Sequence, residues 1–217
     1  MKSEVFLMDC MELMKKYPDG YFDLAVVDPP YGIGEASGRE SSRNKAPNRA
    51  KTKVKYSIKN WDKSIPDSLY FNELMRVSKN QVIWGGNYFD LAPTSCMLVW
   101  DKDNSGDFAD CELAWTSFKS AVRKFKFRWN GMLQEDMKDK EFRIHPTQKP
   151  VALYDWIYKK YLPEGGKVLD THLGSGSNRI AADKAGNIDF TACEIDQEYF
   201  NDQEKRFNQY KQQLRLW

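Results

Sequence analysis

The stretch from Lys167 to Cys193 constrains the fold more than any other, because it reads strand, glycine-bearing turn, helix and strand in succession. Lys167 to Leu169 is a short strand, and Asp170 to Ser177 is a turn holding Gly174 and Gly176. Asn178 to Ala185 is a helix stopped at Gly186, and Asp189 to Cys193 is the second strand. Two strands joined through a helix lie side by side as a parallel pair, so the chain is committed to an α/β sheet. Glycines between a strand and a helix N-terminus let a ligand approach the backbone. Glu194 follows at the tip of the second strand, where an acidic side chain can receive the hydroxyls of a ribose.

The rest of the chain carries the same alternation. Val5 to Met8 and Leu24 to Val27 are apolar runs, each followed by an aspartate, with a helical stretch from Cys10 to Tyr17 and a Pro18-Asp19-Gly20 turn between them. Pro66 to Val77 reads as a helix with proline near its first turn, and Gln81 to Trp84 and Met97 to Trp100 as buried strands. From Arg123 to Trp129, Phe125, Phe127 and Trp129 alternate with Lys124, Lys126 and Arg128, the pattern of a half-buried antiparallel strand with one cationic face. Pro150 opens a helix with Val151, Tyr154, Ile157, Tyr158 and Tyr161 at helical spacing, and a polar helix runs from Glu198. Together these predict a doubly wound, mostly parallel sheet with an antiparallel strand near one edge. At 217 residues the chain makes one domain, 1–217.

Charge is distributed unevenly. The formal total is only +2, yet Arg39 to Lys59 holds eight basic residues against one acid, Glu40, so the remainder is net acidic. Residues 32–60 show neither apolar period and are expected to form a basic mobile loop inserted in the domain. Arg39, Arg43, Lys45, Arg49, Lys51, Lys53 and Lys55 are therefore candidate contacts to a polyanion, as are Lys124, Lys126 and Arg128. The four cysteines are scattered, with no spacing that suggests a zinc site, so no metal is expected and a reduced compartment is. No apolar run approaches the length of a membrane span, and Met1 to Cys10 lacks the form of a signal peptide. The expectation is a soluble, cytoplasmic protein, monomer or homodimer, without a membrane partner.

Asp28-Pro29-Pro30-Tyr31 follows the strand Leu24 to Val27 directly, which puts it at the carboxyl edge of the sheet, where open α/β folds bind ligands. Two prolines stiffen the backbone and remove two N–H donors. What is left is a carboxylate and carbonyls that only accept hydrogen bonds, beside an aromatic ring. Such a site suits an amino group on a flat ring.

On these residues the chain resembles the amino-methyltransferases of DNA, in the permuted beta-type subgroup where the catalytic tetrapeptide precedes the glycine motif. Asp28-Pro29-Pro30-Tyr31 resembles that tetrapeptide, His145 to Pro150 the segment before the cofactor strand, and Asp170 to Ser177 the glycine motif. Asp9-Cys10, Trp84-Gly85-Gly86-Asn87 and Cys193 to Asp196 extend the similarity along nearly the whole chain. The resemblance implies a Rossmann-like fold and S-adenosyl-L-methionine as cofactor. It also implies DNA as partner, with methyl transfer to adenine N6 after base flipping. Asp28, Pro29, Pro30 and Tyr31 would be catalytic, Tyr31 clamping the base. Asp170, His172, Gly174, Ser175 and Gly176 would face the methionine part of the cofactor, together with Asp28. Glu194 and Ile195 would meet the ribose end, Asp9 and Cys10 the adenine, and Thr147 and Lys149 the methionine carboxylate.

The chain departs from the family at the glycine motif, where Asp-Pro-Phe is usual and Asp170-Thr171-His172 stands. Its target-recognition segment, 130–144, is reduced, which implies short or weak sequence reading and suits a phage or prophage type. Cytosine N4 is the rival target, although serine is then more usual where Asp28 stands. A cofactor- and DNA-binding protein without turnover is the rival from another class. Restriction protection, regulation and phage self-marking are all open as roles.

Overall fold

The computed structural model describes residues 2–34, 59, 62, 64–104, 109–130, 133–138 and 140–213. In chain order its elements are β1 (Ser3–Leu7), α1 (Cys10–Met14), β2 (Leu24–Val27), α2 (Ser68–Val77), β3 (Gln81–Trp84), β4 (Leu98–Asp101), β5 (Cys111–Thr116) and β6 (Arg123–Lys126). They continue with β7 (Trp129–Asn130), β8 (Leu133–Gln134), α3 (Val151–Tyr161), β9 (Gly166–Asp170), α4 (Ser177–Ala185), β10 (Ile188–Glu194) and α5 (Gln197–Gln213). Eight strands form one sheet in the order β1-β10-β9-β2-β3-β5-β4-β6, and β7 pairs with β8 apart from it.

The sheet is covered on both faces, and β2 shows how the sequence arranges this. All four of its residues are buried. Leu24 and Val26 join a layer containing Leu153 and Ile157 of α3 and Ile180 and Ala181 of α4. Ala25 and Val27 join the opposite layer with Leu13 of α1 and Leu74 and Val77 of α2. Side chains alternate across a strand, so an unbroken apolar run needs cover on both sides. Burying each Leu, Val or Ile in this way contributes about 1.5–3 kcal/mol. The helix ends are set locally: Asp67 caps α2 by accepting from Tyr70 N at 3.1 Å, and α4 stops at Gly186 with φ 76°.

The crossover from β9 through α4 goes to one face and that from β2 towards β3 through α2 to the other, although β9 and β2 are neighbours. Their carboxyl ends therefore diverge into a crevice at the point where strand order reverses.

Several expectations need correction. The Arg123 strand is not antiparallel to its neighbour: β6 lies parallel to β4, Leu98 opposite Arg123 through Asp101 opposite Lys126. Its alternation reported one wet face, which an edge strand shows in either direction. The antiparallel strand is β5, between β3 and β4, a segment in which the sequence suggested no element. β6 also ends at Lys126, and Trp129 belongs to the β7–β8 pair. The first helix closes at Met14 instead of Tyr17, and Pro66 lies before the cap of α2 instead of in its first turn. Among the described residues no helix is long and apolar enough to cross a membrane, and no cluster of potential metal ligands is found.

Candidate active site

The carboxyl ends of β1, β10, β9 and β2 surround a cavity of about 490 Å³, a volume in the range of small-molecule and cofactor sites. Each strand tip contributes to its wall: Asp9 and Cys10 after β1, Asp28 and Pro30 after β2, His172, Gly174 and Ser175 after β9, and Glu194 at the end of β10 with Ile195 after it. Thr147 and Lys149 close a further side. Most of the candidate cofactor residues thus converge from segments widely separated in the chain.

Some of these side chains are held by backbone. Asp9 caps α1, accepting from Met11 N at 2.8 Å. Glu194 accepts from Gly174 N and from Asp196 N, both at 2.9 Å, so strand tip and glycine turn fix one another. Burial raises the Glu194 carboxyl above its ordinary value, against those N–H donors. His172 is pushed down to about 4 by burial, so it faces the cavity as a neutral imidazole at pH 7, edge-on to Tyr70 at 5.5 Å. His145, likewise lowered to about 3 by burial and by Lys149, accepts from Thr147 N at 3.3 Å and packs on Tyr199 at 4.3 Å.

The end at Asp28 is held by side chains. Asp28 Oδ1 accepts from the Tyr31 hydroxyl at 2.6 Å, and Oδ2 accepts from Lys149 Nζ at 2.5 Å. Lys149, its side chain only 2% exposed, also lies 3.2 Å from Glu112 Oε2, and the other Glu112 oxygen is ion-paired with Lys102. Burial raises the Asp28 carboxyl, with Glu112 adding repulsion and Lys149 opposing both. Burial acts on Glu112 in the same sense, but two ammonium groups outweigh it and bring Glu112 to about 2. Lys149 is raised, because two carboxylates overcome its own desolvation.

Four candidates stand behind the wall instead of in it: Pro29, Tyr31, Asp170 and Gly176. Tyr31 lies stacked on Tyr88 at 5.0 Å and 14°. It packs so closely on Gly85 that a Cβ there would sit 2.2 Å from the ring. What the structure gives Tyr31 is a hydroxyl that orients Asp28. Asp170 turns away to accept from Asn178 Nδ2 at 2.8 Å and His172 N at 3.0 Å. Gly176 is the N-cap of α4, with φ 74°. Lys149 lines the cavity as expected, yet its ammonium is already engaged by Asp28 and Glu112.

Arg39, Arg43, Lys45, Arg49, Lys51, Lys53 and Lys55 lie outside the described residues. Lys59, at the end of that stretch, is tied to Asp196 at 2.8 Å and Glu198 at 2.7 Å. Lys124, Lys126 and Arg128 are exposed, but Asp101 and Asp103 pair with them, so three cations and two carboxylates leave that face at +1.

Sequence reasoning missed Glu112, the Tyr70 and Tyr154 walls, and the lead into α2 from Ser64 to Asp67, all of which bound the cavity or its charged end. For Tyr154 the signal existed, a polar-tipped ring in an apolar helical stripe. Glu112 carries none, since its role depends on a lysine brought from a distant segment.

A doubly wound α/β protein with a nucleoside-sized cavity at its switch point, flanked by a carboxylate bound to a buried ammonium, is the class that fold and site define. Residues 43–205, well over half of the chain, match the family described as DNA methylase, of the N6/N4 methyltransferase type. The chain belongs to that family; its Asp28 to Tyr31 segment precedes the matched region. Among solved structures it is similar to M1.HpyAVI in its SAM complex, with 18% identity, 94% of this chain and 98% of that one covered, and a TM-score of 0.56. It is also similar to the PvuII DNA methyltransferase (cytosine-N4-specific), with 13% identity, 95% and 86% covered, and a TM-score of 0.60. At these identities the likeness establishes the fold, that of the Rossmann-like methyltransferases.

Proposed function

We propose that the protein transfers a methyl group from S-adenosyl-L-methionine to an exocyclic amino group of a DNA base, adenine N6 in preference to cytosine N4. The observation that carries this reading is the Asp28 carboxylate, held by Lys149 and Tyr31 at the tip of β2 on the wall of a nucleoside-sized cavity. An amine conjugated to a base is a poor nucleophile, because its lone pair is drawn into the ring. Asp28 and the Pro29 carbonyl accept its two protons and localise that pair, charge stabilisation aimed at the transition state. Stacked aromatic rings at Tyr31 and Tyr88 stand beside this point and suit a base that has left its duplex. Aspartate instead of serine at position 28 favours adenine.

The residues present fit the cofactor. Glu194, fixed by two backbone N–H groups, keeps lone pairs free to receive a ribose diol. Asp9, Cys10 and Ile195 form a rim for a flat purine, and Gly174 and Ser175 offer a close approach opposite Thr147. A neutral His172 takes the aromatic position usual for phenylalanine. When bound, S-adenosylmethionine supplies a methyl group on a sulfonium, already a strong electrophile. The chain's own contribution is then mainly orientation of the amine. DNA phosphate contact is assigned to Arg39 through Lys55, with a smaller share for Lys124, Lys126 and Arg128.

Asp28→Ala should lower single-turnover methyl transfer by about 10²–10³-fold or more, with cofactor affinity little changed. Base-resolved mapping of methylated DNA should place the product on adenine N6. An undiminished rate in Asp28→Ala would overturn the mechanism, and product on cytosine N4 would overturn the choice of base.

A further inference from the structure

We propose that Glu112 is a positioning residue for this reaction, a second acceptor that takes the Lys149 ammonium when Asp28 turns its carboxylate to the target amine. The inference rests on the Asp28 reading above and adds a residue that no motif contains. In the structure both oxygens of Asp28 are occupied, Oδ1 by Tyr31 and Oδ2 by Lys149. A carboxylate whose charge is neutralised by an ammonium is a weaker acceptor for a neutral amine. Simply losing that ammonium would strand a buried charge, which costs several kcal/mol. The lysine therefore needs another place to go.

Glu112 provides it. Its Oε1 is anchored by Lys102, the residue after the neighbouring strand β4, which fixes the carboxylate plane. Its Oε2 is buried, has no hydrogen-bond partner, and lies 3.2 Å from Lys149 Nζ. This acceptor already pairs with Lys149, but at a longer distance than Asp28 does, so it can draw in the group that has to move. An ammonium carries three protons, so Lys149 can tighten onto Glu112 by a small slide, without rotating its side chain out of the site. No proton is transferred and no covalent bond is made or broken in this step. The charged and titratable groups around the pair come from every adjoining element: Lys149 and Tyr154 from the α3 side, Tyr31 beside Asp28, Asp170 from β9 and Lys102 just after β4.

The test is Glu112→Gln in the full chain, with single-turnover methyl transfer on duplex DNA followed against pH and S-adenosylmethionine affinity measured in parallel. The plateau rate should fall by about 10- to 100-fold, since Lys149 then stays on Asp28. The acid limb should move to lower pH, because Glu112 no longer repels the Asp28 carboxylate. Cofactor affinity should hold, as Glu112 is not in the cavity wall. Glu112→Asp keeps the charge and should hold the acid limb at the wild-type pH with only a reduced plateau. A wild-type plateau in Glu112→Gln, or a lowered one with an unmoved acid limb, overturns the proposal. If Glu112→Gln fails to fold, a displaced limb in Glu112→Asp does so instead. A wild-type Glu112→Gln beside an inactive Asp28→Ala sinks this inference alone, whereas an active Asp28→Ala sinks the reading beneath it.

Discussion

Asp28 and Asp170 stand at the tips of neighbouring strands, β2 and β9, and differ in one respect that decides their chemistry. Asp28 has a buried ammonium 2.5 Å away. Asp170 has only neutral donors, the Asn178 amide and the His172 N–H. Burial raises both carboxyls, but among the described residues nothing cationic opposes it at Asp170, which rises to about 7. The same residue type in the same structural position thus has its rise opposed by an ammonium in one strand and unopposed in the next, where it is poised near neutrality. A nearby counter-ion, and not location alone, decides how far burial raises a strand-tip aspartate.

Removing the counter-ion should make Asp28 behave like Asp170. In Lys149→Met, methyl transfer at pH 7 should drop by about 10²–10³-fold and recover in part as the pH rises and Asp28 ionises. A pH–rate profile checks this, and a loss that is flat with pH would mean that Lys149 does not keep Asp28 anionic.

The complementary change acts on stability. The folded-state value of Asp170 lies above its unfolded value of 3.8, so its contribution is complete below about pH 4 and is lost as pH rises through about 7. Between pH 5 and 8 the wild type should lose roughly 1–3 kcal/mol relative to Asp170→Asn, whose side chain does not titrate. Denaturant midpoints for both proteins across that range measure the difference. Parallel curves would show that Asp170 is ionised throughout. The smallest effect is expected from Tyr31→Phe, which removes one donor to Asp28 and leaves Lys149 in place. A rate loss of about 3- to 10-fold should follow, and a loss as large as that of Lys149→Met would move the tyrosine into a more direct role.

The parts of the fold that were legible in the sequence are those governed by near neighbours. β2 runs from Leu24 to Val27 as its apolar run suggests, and α4 ends at a glycine with positive φ, as a helix stop should. β5 escaped notice because Cys111 to Thr116 mixes exposed, half-buried and buried positions without a clean period. The direction of β6 was misjudged for a related reason. Alternation records which face is wet, while direction depends on β4, which lies beside it and is itself antiparallel to β5.

The site divides in the same way. Chain order alone placed Asp28 to Tyr31, the glycine turn and Glu194 at the carboxyl ends of strands, since strand followed by turn is a local pattern. Only the folded molecule decided that Lys149 sits on Asp28, that Glu112 waits beside it, and that Asp170 has no cationic partner among the described residues. Those outcomes turn on Coulomb and desolvation energies, which depend on separations of a few ångströms between segments remote in the chain, and linear order does not carry that distance.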